Sequence, residues 1–197
     1  MTSATKSSVL VLRLRDLARG EGGMAAVEFA VILPFMLVAY LGGVEVGDGV
    51  AINRKVAITT HAVADLASRY TTIHNSDSAT ILGASSTIIS PYPSGPLAVT
   101  VSEVCIDSKG NATVVWSDPL NSTAHSIGSA VTLPGALASS LATQTGTCPL
   151  SGSAYLIWGE VTYTYTPTLG YVMTGNYPLS NQIFMSPRES ASVTRIP

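Results

Sequence analysis

"GMAAVEFAVILPFMLVAYLGGV", residues 23–44, decides how the rest of the chain is read. From Met24 to Val44 its only charged residue is Glu28. Rising about 1.5 Å per residue, a helix over this run spans about 31 Å, the thickness of a bilayer core. A secretory signal peptide has a shorter apolar region and a small-residue cleavage site. This run is longer, carries an acid, and is followed by no A-x-A pattern, so a membrane helix fits better. Pro34 sits mid-run, where it removes one backbone hydrogen bond and favours a bend that membrane helices tolerate.

Working outward, Lys6, Arg13, Arg15 and Arg19 outnumber Asp16 and Glu21 before the run. Just beyond it stand only Arg54 and Lys55. The positive-inside rule then puts the N-terminus in the cytoplasm and the C-terminal part outside it. Residues 1–8 are polar and expected to lack order, and 9–19 form a short basic amphipathic stretch suited to a membrane surface.

The helical pattern does not stop at the membrane edge. Ile52, Val56, Thr59, Val63, Leu66 and Tyr70 recur at spacings of four and three, an apolar stripe. Asp65 and Arg69 form an i, i+4 pair on another face. Residues 24–70 are therefore expected to make one helix of about 70 Å, with Gly42, Gly43, Gly47 and Gly49 weakening its middle and marking a candidate joint.

After His74 the residues turn polar and lead to a loop at 91–96, PYPSGP. "LAVTVSEVCI" (97–106) and "ATVVWS" (112–117), separated by "DSKGN", read as a β-hairpin. Residues 118–132 read as loop, Pro134 opens a short helix, 153–167 is a strand rich in aromatic and β-branched residues, and a fourth strand lies near 181–193. The fold class expected is α+β: a long N-terminal helix, half membrane and half amphipathic, packed on a small antiparallel sheet.

Composition narrows the function. Charged residues make up 11% of the 197 and the net charge is −2, which argues against a nucleic-acid partner recruited through a basic face. His61, His74 and His125 are scattered, with no metal-ligand neighbour at helical spacing, and no CxxC pair occurs. No nucleophile elbow, phosphate loop or paired-carboxylate motif appears, so no catalytic, cofactor or metal residue is assigned. Asn111-Ala112-Thr113 and Asn121-Ser122-Thr123 match the glycosylation sequon, which matters only in secretory hosts. Cys105 and Cys148 pair in a disulfide if the domain is exported and remain buried thiols if it is cytosolic.

The junction at Gly23-Met24 carries a resemblance. A charged leader ends at Gly23, an apolar helix begins at once, and Glu28 is fifth and Phe29 sixth counting from Met24. Together with Ala26-Val27-Glu28-Phe29-Ala30 and Leu33-Pro34, this resembles the type IV pilin superfamily, and more closely the TadE/TadF-like minor pseudopilins of Tad (Flp) pilus systems. "VTYTYTP" (161–167) and "SPR" (186–188) are similar to that family's C-terminal pattern.

The resemblance implies a leader, 1–23, cut after Gly23 by a prepilin peptidase, with Met24, Glu28 and Phe29 completing the processing site. It also implies a transmembrane and amphipathic helix over 24–70, a mainly β extracytoplasmic head over 71–197, and assembly through Glu28 and Pro34. The implied partners are other pseudopilins and the pilin, the peptidase, and membrane lipid; the implied location is the bacterial inner membrane, with pilus association at the surface. The chain is far longer than a bare Flp pilin, which suits a minor subunit that initiates, caps or supports the pilus. A membrane-anchored binding module or adhesin, using the Ser/Thr/Tyr-rich loops, is the alternative. A secreted enzyme released by signal peptidase is a weaker third, since no catalytic constellation accompanies it.

Overall fold

The computed structural model describes residues 21–135, 137, 141, 148, 154–167, 170 and 173–197. The expectations for 1–8 and 9–19 lie outside the described residues. Contacts divide the chain into two compact units, one of residues 1–47 and 167–174, the other of 48–166 and 175–197.

Helix α1, Glu21–Ser68, contributes to both units. It is described from Glu21 and ends at Ser68, before Tyr70. The helix is unbroken through Pro34 and through all four central glycines, so the joint expected among them is not a break. In the first unit, every residue from Met24 to Tyr40 is exposed. Farther along, Glu45 is buried, and its Oε2 accepts a hydrogen bond of 3.0 Å from the Met173 backbone N–H.

The second unit is built on a five-stranded antiparallel sheet. Its strands are β2 (Leu97–Ile106), β3 (Ala112–Leu120), β4 (Ala130–Val131), β5 (Ala154–Tyr165) and β6 (Tyr177–Met185), in the order β4-β3-β2-β5-β6. Strand β2 lies in the centre and is buried along almost its whole length, which explains why its residues other than Glu103 are apolar or small on both faces. Pro119 is tolerated near the end of β3 because β4 pairs only with Ala112 and Thr113, leaving that part of β3 at an edge.

Alternation along the strands separates two clusters. Leu97, Val99 and Val101 of β2, with Ile157, Val161, Tyr163 and Tyr165 of β5, share a core with α1. Residues of opposite parity, Val104, Ile106, Leu156 and Trp158, join Ala112 and Val114 in a smaller cluster with Leu133, Leu137 and Leu141. The helical conformation at Gly135, Leu137 and Leu141 agrees with a helix opening at Pro134.

Along α1 the buried stripe is Ile52, Val56, Thr59, Thr60, Val63, Ala64 and Ala67. Leu66, assigned to that stripe from its spacing, is exposed, and Ala67 takes the place. Within this stripe the helix approaches the sheet closely: a Cβ added at Gly159 of β5 would lie 3.0 Å from the Ala64 Cβ and 3.3 Å from the Thr60 carbonyl oxygen. Thr59 and Thr60 turn their hydroxyls back to the carbonyls of Lys55 and Val56, so their burial leaves no donor unsatisfied.

Several elements differ from the sequence expectation, among them the short strand β4 (Ala130–Val131) within the stretch 118–132 expected as loop. Residues read as a polar lead-in to the 91–96 loop form a second helix, α2 (Asn75–Ile89), which buries Ser78, Ile81, Leu82, Ser85 and Ile89. Its start is fixed by Asp77, whose Oδ2 accepts from the His74 backbone N–H at 3.0 Å. At the other end the Lys55 ammonium donates to the carbonyls of Ile88 and Ser90, at 3.1 and 2.8 Å, placing a cation where the helix dipole favours one. The loop at 91–96 follows as expected.

Two boundaries also shift. Strand β3 runs on to Leu120, and β6 spans Tyr177–Met185 rather than reaching 193. The chain after β6 instead forms a strap whose short strand β7 (Thr194–Arg195) pairs in parallel with β1 (Thr72–Ile73).

Candidate functional site

Gly23, Met24, Glu28, Phe29 and Pro34 all lie on α1, within its first four turns. Met24 is 69% exposed, Phe29 59% and Phe35 73%. Large apolar side chains left this open over many turns need a cover that the first unit does not supply. Glu28 is exposed among them. From Met24 onward α1 is long and apolar enough to cross a membrane. In lipid its backbone groups are satisfied within the helix, while an anionic Glu28 would carry a cost of about 2.5–3.5 kcal/mol on insertion scales.

The Gly23–Met24 peptide bond lies within α1.

Cys105 of β2 and Cys148 are joined by a disulfide, which ties the segment before β5 to the central strand across a separation of 43 residues. Among the described residues no group of three or more His, Cys, Asp or Glu could hold a metal ion. The three histidines do not converge. His61 and His74 are exposed, while His125 stacks on Trp158, with ring centroids 4.5 Å apart, and pairs with Glu160.

Several residues that organise the head were assigned no role from the sequence. Arg188, the last residue of the "SPR" triplet, donates its backbone N–H to the Ser68 carbonyl at 2.8 Å. Its guanidinium reaches Asp65 at 2.7 Å, beside the Asp65–Arg69 pair anticipated from spacing, also at 2.7 Å. The strap thus satisfies and neutralises the C-terminal turn of α1. Farther on, Arg195 binds Asp118 at 2.7 Å and the Asn75 amide oxygen at 2.6 Å, joining the strap to β3 and to the start of α2.

Glu103 is a further such residue. It is 1% exposed, with Oε1 accepting from the Val193 N–H at 2.5 Å and Oε2 from the Trp116 indole N–H at 3.1 Å. The same indole N–H lies 2.8 Å from the Val193 carbonyl. Burial pushes the Glu103 carboxyl up to about 7, and the two hydrogen bonds only partly offset that rise. A lone glutamate in the alternating run of β2 gave no sign of this role, because its partners come from residues 116 and 193.

Comparison with curated proteins and with solved structures returns no significant match. Residues 23–67, by contrast, match the model of the family described as TadE-like protein, and it is through this N-terminal segment that the chain is similar to a pilus-related family.

Proposed function

We propose that this protein is a minor pseudopilin that assembles with other pilin-like subunits to initiate, cap or support a Tad/Flp pilus. The observation that carries the proposal is the coincidence of the TadE-like match with α1, whose residues 24–40 are apolar and uncovered apart from Glu28. The leader 1–23 stays cytoplasmic and a prepilin peptidase cuts after Gly23. The head beyond residue 70 is exported, a placement supported by the Cys105–Cys148 disulfide, since oxidising compartments preserve such bonds.

Cleavage leaves a new ammonium on Met24. Glu28 lies about 6 Å along the axis from it, one helical turn. An ammonium from a neighbouring subunit, displaced by about one turn, meets the Glu28 carboxylate and offsets its cost in lipid. The acid is thus tolerated only when two subunits adjoin, which biases the helix toward assembly. Pro34 sets the local path of the packing face.

The test is Glu28→Ala, followed through processing and incorporation separately. Processing should continue while recovery in sheared pilus fractions falls by tenfold or more. Unchanged incorporation contradicts the role given to Glu28.

A further inference from the structure

The strap formed by residues 188–197 is held by a buried group that function does not otherwise use. Four sets of contacts fix it. Arg188 binds the end of α1, β7 pairs with β1, Arg195 binds Asp118 and Asn75, and the Val193 N–H and C=O both close on the Glu103–Trp116 pair. The Arg188 and β7 contacts are exposed or short, and the Arg195 contacts are part-buried. Val193, in contrast, is fully buried, so the Glu103 contact lies at the strap's centre.

We propose that Glu103 and the C-terminal strap form a pH-sensitive latch, closed over a neutral Glu103 carboxyl in mild acid and opening more readily once that carboxyl is ionised. A protonated carboxyl accepts the Val193 and Trp116 N–H groups without being a buried charge. An ionised one gains from the same bonds but loses its hydration, and the rise to about 7 shows which effect is larger. Beside it lies a cleft of about 640 Å³ lined by Glu103, Trp116 and strap residues 192–195, so strap displacement gives the carboxylate a short route to water.

The other ionisable groups around this point are otherwise engaged. On β5, the Tyr155 hydroxyl is pushed up by burial and by Glu103, so it remains a neutral neighbour. Asp118 of β3 and Arg195 of the strap neutralise each other. In the loop after β3, His125 is engaged by Glu160. On α1, Asp65 faces Arg69 and Arg188, and at the start of α2, Asp77 accepts from the His74 backbone. None of these supplies a cation to Glu103.

The sign follows from linkage. The closed state holds its proton up to about pH 7, whereas an opened, hydrated Glu103 returns toward 4.5. Closure is therefore fully supported below pH 4.5, and that support is lost as pH rises to 7, beyond which the opening constant is flat. Between pH 5 and pH 8 the opening constant should rise about 70-fold.

Amide hydrogen exchange on the full chain in lipid nanodiscs reads this directly, after correction for intrinsic rates. Strap amides Val193, Thr194 and Ile196 should be less protected than Val99–Val101 at both pH values. Their opening constants should rise by the stated factor in the wild type and stay level in Glu103→Gln. Two results overturn the latch: opening constants that do not change between pH 5 and pH 8, or strap protection equal to that of β2 at both, which would mean the strap leaves only when the whole head unfolds. If Glu103→Gln does not fold, the wild-type comparison alone decides.

Discussion

At the scale of single residues, two positions show how much a side chain's meaning depends on what the fold brings beside it. Gly159 sits in a strand rich in aromatic and β-branched residues, where a glycine is intrinsically unfavourable. It is required because α1 lies against it, with Ala64 and Thr60 at contact distance. Gly159→Ala should therefore lower stability by about 1–3 kcal/mol through overpacking. A fall in melting temperature of several degrees in thermal unfolding would show it, and an unchanged or raised value would mean that the helix can lift off without cost. Glu28 was legible because its anomaly is local: one acid in an apolar run, at fixed distance from a glycine. Glu103 was not legible, because its burial depends on Val193, separated from it by 90 positions.

At the scale of elements, strands declared themselves where alternation was strong. The hairpin of β2 and β3 and the long β5 were readable because apolar residues face two cores on alternate sides. Helix α2 was not, because Ser78 and Ser85 occupy two of its five buried positions and interrupt the apolar period. Ser85 can be buried because its hydroxyl bonds back to the Leu82 carbonyl. The strap escaped notice for a related reason: β7 is two residues long, and its fixing contacts are to α1, β1 and β3 rather than to a sequence neighbour. The disulfide belongs at this scale too, since it fastens the chain ahead of β5 to the central strand. Closing a loop of 43 residues is worth about 2–4 kcal/mol in the unfolded-chain account. Cys105→Ser with Cys148→Ser should lose that amount in denaturant unfolding and, in the oxidised wild type, reductant should reproduce the loss. Equal stability of the two proteins would make the bond dispensable.

At the scale of the whole molecule, α1 carries two kinds of surface in one unbroken helix. Residues 24–40 are apolar on all sides and uncovered, whereas residues 52–67 bury one narrow stripe against the sheet. The first kind asks for lipid or for neighbouring helices; the second holds a folded head. The TadE-like match ends at residue 67, one residue before the end of α1, and so follows the helix rather than the head. Family likeness thus resides in the helix, while the strap and the buried Glu103 belong to the head beyond the match. The proposed function depends above all on where the mature chain begins. Intact mass and N-terminal peptide mass of the protein recovered from its native membrane measure that directly. The account predicts a chain beginning at Met24, with residues 1–23 removed; a chain that begins at Met1, or one cut beyond residue 43, would contradict it.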